Sequence, residues 1–425
     1  MNRVLSCAVV LCAAAAWAHG ALPQTLEVSV RPGHPDELTV GTSFGLLVSR
    51  DRGASWSYLC EEAIGYGAGQ IPTSVTLPSG TTFTGSIFGL AQSKDQQCTW
   101  TAVPAFADVG ARGLALTSAG LVASSGKFGV TNAVRVSADE GQTWQDTGQS
   151  SEVLFFTDVV AAPSQPSRVY GGAWWYEDGG TTFVLRSDTG GTGFTRTEVT
   201  TLVPVHGPLR ILAVHPTKPD VVLLAVNDDP GNLSVLVRSG DGLSTFAVVQ
   251  EEHQPFNSAA FSSDGALAFA ASFEHLYRSA DEGRTFAALN APKRNACVGV
   301  APGAYYACAD NDLDGYVLGR GDPAAPGLTG VLRWKDIQGV LACPAGSSVA
   351  QKCGAVWPVV QASFPGFDGG LASDGGTPGT DGGTTPPVTP KGCGCGAPGP
   401  AGPVLAVLLA VLARRRSKKR DALRR

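Results

Sequence analysis

One short pattern recurs along the middle of the chain and limits what it can fold into. An apolar stretch runs into Ser-x-Asp-x-Gly-x-Thr/Ser-Trp/Phe, as in Ser49-Arg-Asp51-Arg-Gly53-Ala-Ser55-Trp56. Further copies start at Ser93, Ser137, Ser187, Ser239 and Ser279. A seventh follows by phase, with Gly321 in the Ser place and Trp334-Lys-Asp336 echoing Trp144-Gln-Asp146. The starts lie 44, 44, 50, 52, 40 and 42 residues apart. A period of this length, built from several short strands, marks a radial β repeat in which each unit buries its faces only against its neighbours. The expected fold is all-β: a seven-bladed β-propeller of four-stranded antiparallel blades.

Blade 1 shows the pattern strand by strand. Leu26–Val30, Glu37–Gly41, Gly45–Ser49 and Ser55–Cys60 alternate or run apolar between turn-forming residues. The repeated Asp residues (Asp51, Asp95, Asp139, Asp241, Asp281) sit where a short carboxylate can accept backbone N–H groups two or more residues on. The spacing therefore predicts a structural role for them. No strand exchanged between the chain ends to close the ring is visible.

The two ends read differently. Residues 1–18 begin with a basic Arg3, continue as an apolar run and end Ala16-Trp17-Ala18, small residues in a cleavage pattern. They predict a secretory signal peptide. Residues 19–363 form the propeller and an extension. Residues 364–392 are rich in Gly, Pro, Thr and Asp, with almost nothing to bury, and read as a linker. Residues 393–425 hold Cys393-Gly-Cys395, the apolar run Pro403–Ala413, expected as a short hydrophobic helix, and the basic end RRRSKKRDALRR.

Two resemblances follow from these residues. The Ser-x-Asp-x-Gly-x-Thr-Trp boxes over roughly residues 24–340 resemble the Asp-box (BNR) repeats of sialidases, sortilin-type ectodomains, xyloglucanase-like glycosidases and photosystem assembly propellers. That resemblance implies the fold and leaves enzymes and binders equally represented. The last 33 residues resemble the MYXO-CTERM sorting tail of myxobacterial exported proteins. This implies a sorting protease acting at Cys393 or Cys395, a membrane contact made only through the tail, and display at the cell surface or outer membrane.

Charge and cysteines agree with export. The chain carries a net −5, with charged residues only 16% of the total. Arg3 and the last 12 residues supply eight net positive charges, so the remainder holds −13. No global positive field exists for nucleic acid. Six cysteines belong to the folded part: Cys60, Cys98, Cys297, Cys308, Cys343 and Cys353. An even number in an exported chain predicts disulfides. Proximity along the repeat suggests Cys297–Cys308, Cys343–Cys353 and Cys60–Cys98, among 15 possible pairings.

Candidate chemistry is sparse. Asp310, Asp312 and Asp314 with Gly315 match the opening of a calcium loop, but position 12 is Gly321 and the bidentate Glu is missing. The same residues read as an acidic turn, so the expected cofactor is none, or calcium there. Sialidase resemblance would demand an Arg-Ile-Pro motif; Gln70-Ile71-Pro72 lacks the Arg. Glu61-Glu62 read as solvated loop acids, and Arg320-Gly321-Asp322 falls inside the seventh box register. Trp174-Trp175-Tyr176 offers either a sugar or peptide platform or core packing. The sequence thus predicts an exported, non-enzymatic binding or scaffold propeller with an unknown protein or glycan ligand and no assigned catalytic residue. A glycan-active hydrolase is the alternative.

Overall fold

A computed structural model describes residues 23–66, 72–175, 180–200, 207–228, 233–294, 297–325 and 327–364. Seven antiparallel sheets follow one another along the chain, each with its strands hydrogen-bonded in sequence order. Their first strands form the inner ring: Thr25–Arg31, Thr73–Thr76, Ala111–Thr117, Leu154–Ala162, Leu209–Val214, Phe256–Phe261 and Val298–Ala301. Each packs against its neighbour, and the seventh packs against the first. The chain is therefore a closed seven-bladed propeller, as the repeat predicts. The signal peptide (1–18), nearly all of the linker (364–392) and the Cys, apolar and basic tail (393–425) lie outside the described residues. Among the described residues, no helix is long and apolar enough to cross a membrane.

The inner ring departs from regular pairing in a repeated way. In blades 1, 3, 4, 5 and 6 the first strand carries one extra residue opposite its partner: Leu26, Arg112, Thr157, Leu212 and Asn257. Such a bulge bends the strand and re-aims a side chain. All five of these residues line the central channel. In four of the five blades the residue after the bulge packs onto, or bonds to, the next blade's backbone. The Glu27 carboxylate accepts the Ser74 N–H at 3.4 Å, and Asp158 accepts the Ile211 N–H at 3.0 Å. Ser258 donates to the Val298 carbonyl and accepts its N–H, at 2.8 and 3.1 Å. In blade 3 the position is Gly113, where an added Cβ would lie 2.3 Å from the Val159 nitrogen.

The boxes form the turns into the outer strands. Asp139 accepts from the Ser137 hydroxyl (2.8 Å), the Thr143 N–H (2.8 Å) and the Thr143 hydroxyl (2.6 Å). Asp51, Asp241 and Asp281 make the same set, and Asp95 accepts from the Ser93 hydroxyl and the Thr99 N–H. Chiefly through the Thr143 and Thr245 hydroxyls, the turns hold the Asp139 and Asp241 carboxyls down at about 2. In the fourth copy Thr189 stands where Asp is expected, and its hydroxyl pairs with the Ser187 hydroxyl at 3.2 Å. In the seventh, the Tyr305 ring occupies the place a Ser side chain would need at Gly321. By register, the aromatic position of that copy is taken by Leu328, which packs beside a core cluster. Trp334 lies past the outer strand Thr329–Leu332, stacked on Phe364 at 5.5 Å.

The C-terminal extension corrects three expectations. Residues Ile337–Val340 add a parallel fifth strand to the outer edge of blade 1, along Trp56–Cys60, so a C-terminal strand does join the N-terminal blade. The bridges run Cys60–Cys353 and Cys98–Cys343, with Cys297–Cys308 as the third. The expected Cys60–Cys98 and Cys343–Cys353 pairs are not formed. The reason is the helix Ser348–Ala362, which folds back over blade 1 with Ser347 as its N-cap. It carries Cys353 to the end of blade 1, while the segment before it brings Cys343 to the blade 2 box. Glu61 is consequently buried at the start of a short helical turn, Glu61–Ile64, that packs against this helix, and is not a solvated loop acid.

These two bridges close loops of 293 and 245 residues. Constraining so long a loop in the unfolded chain stabilises the fold by about 2–5 kcal/mol per bridge. The paired replacement Cys60→Ala with Cys353→Ala is therefore expected to lower the melting temperature far more than Cys297→Ala with Cys308→Ala, whose loop spans 11 residues. Calorimetry on the two variants checks this, and equal losses would contradict it.

Candidate functional site

Strand order gives each blade two ends. The turns between first and second, and between third and fourth, strands share one end, where the boxes lie. The turns between second and third strands all face the other way. There the channel opens, enclosing about 670 Å³. One side of this mouth is aromatic. Phe128, in the turn between Gly120–Ser125 and Asn132–Ser137 of blade 3, is 62% exposed. Its ring centre lies 4.3 Å from that of Phe155 on blade 4, which lies 6.2 Å from Trp174. Phe88, in the equivalent turn of blade 2, is also exposed.

Four ionisable side chains stand in or against this tube. Arg112 and Arg210 line it, and so does Glu27. Asp158, beside the bulged Thr157, is buried behind the lining. Arg112 donates to the Gly126 carbonyl at 3.0 Å, and Arg210 to the Asn257 carbonyl at 3.1 Å. The Arg210 Nε lies 4.0 Å from the Asp158 Oδ2. Burial, then the like charge of Arg210, holds the Arg112 guanidinium below its ordinary value.

The two acids shift the other way. Glu27 keeps part of its surface toward the lumen, yet the protein surrounding it strips away enough water to push its carboxyl up to about 8. The Ser74 N–H and the Arg210 charge oppose that rise without cancelling it. Burial raises Asp158 to about 6, against the pull of Arg210 and the Ile211 N–H. At neutral pH Glu27 is therefore mostly protonated and Asp158 mostly ionised.

The residues singled out from the sequence fall mainly elsewhere. The box aspartates are committed to their turns on the opposite end. Asp310 caps the helical turn Asn311–Asp314 by accepting the Asp312 and Leu313 N–H groups, and Asp314 accepts the Asp310 and Lys293 N–H groups. Asp310, Asp312 and Asp314 thus sit in a capped acidic turn. Among the described residues, three potential ligand atoms gather within 4.8 Å of one another at Glu252, Glu274 and His275 instead. Trp174 lines the channel and Trp175 packs beside the blade 3–4 core; Tyr176 lies outside the described residues. Arg320-Gly321-Asp322 ends the third strand of blade 7, with Gly321 buried and Asp322 accepting the Ala324 N–H.

No protein-family model matches the chain, and no curated protein matches it. Solved structures do. YCF48 from Cyanidioschyzon merolae is 14% identical with a TM-score of 0.50, over 72% of this chain and 98% of that one. The Dos1 propeller is 10% identical at 0.49, over 72% and 84%. An ancestral GH74 enzyme is 17% identical at 0.49, over 61% of this chain; the match spans 36% of that enzyme's length. What is shared is the propeller fold. A fold by itself does not choose between catalysis and binding.

Glu27 gives the channel a pH signature. Its carboxyl is raised above the ordinary 4.5, so the folded state holds a proton that the unfolded chain releases. The stability this contributes is complete below about pH 4.5 and is lost as pH climbs toward 8. Asp158 acts in the same sense but is spent by about pH 6. Between pH 6.5 and 8.5 the wild type should therefore lose melting temperature relative to Glu27→Gln, which cannot ionise. Parallel profiles in paired thermal melts would contradict the Glu27 shift.

Proposed function

We propose that this protein is an exported, non-enzymatic binding propeller, held at the cell surface through its C-terminal tail. It takes its ligand at the aromatic mouth of the channel. The observation that carries this reading is the exposed Phe128 ring, packed at a tilt against Phe155, which in turn packs against Trp174, at the rim of a 670 Å³ channel. Clustered exposed aromatics at a concave site favour binding of sugar faces or apolar side chains. The channel carboxylates support binding over turnover, since Glu27 and Asp158 both accept backbone N–H groups of the adjoining blade. The disulfides fit an oxidising compartment, in keeping with export.

One observation favours a second reading, the glycan hydrolase. The Glu27 carboxyl of blade 1, near 8, and the Asp158 carboxyl of blade 4, near 6, split into an acid and an ionised base at neutral pH, the division of protonation that two-carboxylate glycosidases use. Glycan and peptide arrays run beside a panel of fluorogenic glycosides separate the two. Binding without turnover, weakened about tenfold in Phe128→Ala, supports the binding propeller. Glycoside turnover abolished in Glu27→Gln overturns it in favour of the hydrolase.

A further inference from the structure

On the channel-mouth end, blade 5 and blade 6 bring three potential metal ligands together. Glu252 ends the outer strand of blade 5, Ala247–Glu252. Glu274 and His275 form the turn between Ala268–Ser272 and Leu276–Ser279 of blade 6. One ligand atom from each lies within 4.8 Å of the others. The His275 Nδ1 is 2.8 Å from the Glu252 Oε2.

Two features make this more than a crowd of surface acids. The first is preorganisation. The Glu252 side chain is only 8% exposed, and the Tyr277 hydroxyl donates to its Oε2. The Ser272 hydroxyl accepts the N–H groups of both Glu274 and His275, at 3.2 and 3.0 Å, fixing the turn that presents them. A hydrogen-bonded outer partner of this sort orients ligands in metal sites. The second is access. Glu274 lines a separate cavity of about 350 Å³, together with Gln254, Phe273 and Asp310, which leaves room for water or a ligand group on a bound ion.

We propose that Glu252, Glu274 and His275 bind a divalent cation of the zinc class. One imidazole nitrogen and two carboxylate oxygens, with a fourth position open, suit zinc, whose bonds to such ligands run about 2.0–2.2 Å. Donors around a tetrahedral ion at that distance stand about 3.4 Å apart. Glu274 and His275 are exposed on a turn, which leaves their side chains free of packing that would oppose closing the present spacing. The ion would pin the outer edge of blade 5 to blade 6 and place a Lewis acid beside the second cavity.

The test uses the untagged full-length protein, titrated calorimetrically with zinc, and with cobalt followed by its visible absorption. The expected result is a saturable equivalent that is lost, or weakened at least tenfold, in His275→Ala and in Glu274→Gln. Tetrahedral cobalt bands should disappear in the same variants. Unchanged metal-free melting temperatures show that the variants are folded. Zinc binding that is identical in wild type and both variants overturns the site. Calcium binding these residues in preference to zinc overturns the assignment of the ion.

Discussion

The close approach of seven inner strands around one axis governs this molecule. Strands this near the axis leave little room between blades, and the chain answers with a recurring one-residue bulge. Each bulge separates two tasks that a regular strand would alternate differently. One side chain is turned into the lumen, and in four of the five blades the next either bonds to the adjoining backbone or, at Gly113, is dispensed with to let that backbone in. The lining and the cohesion of the ring therefore come from adjacent positions. That coupling is why the channel acids are simultaneously pushed toward protonation and held by backbone donors.

Closure of the ring uses different chemistry. Blade 7 meets blade 1 through the Thr25 hydroxyl on the Val317 carbonyl and the Trp56 indole on the Val331 carbonyl. Neither blade exchanges a strand with the other in the usual lateral sense. The C-terminal segment passes along the outside of blade 1 and is fastened to blades 1 and 2 by Cys353 and Cys343. A box residue thereby acquires a second duty: Cys98, in the turn of blade 2, anchors the extension.

The repeat was legible in the sequence because each box is a local object. Its Ser, Asp and Thr lie within eight residues and bond to one another, so turn chemistry and spacing alone located six boxes and the phase of a seventh. Cys297–Cys308 was legible for the same reason, since both belong to one hairpin. The other two bridges were not, because a helix beyond the last blade decides them and chain proximity points elsewhere. The channel was the least legible part. Glu27, Arg112, Asp158 and Arg210 belong to no motif, and their side chains meet only after ring closure. A faint signal did exist in the equivalent positions of successive first strands, but a bulge shifts side-chain parity by one residue and breaks the alternation that would have exposed it. The Glu252, Glu274 and His275 group likewise spans two blades.

The position of the Cys60–Cys353 bridge has a mechanical consequence. It lies between the last blade and the chain beyond Phe364. Tension applied from that side loads the helix Ser348–Ala362 and then a covalent bond into blade 1, before it reaches any hydrogen-bonded strand of blade 7. A force drawn through the C-terminal end is thus delivered to the first blade, and the last blade is spared from being peeled off the ring.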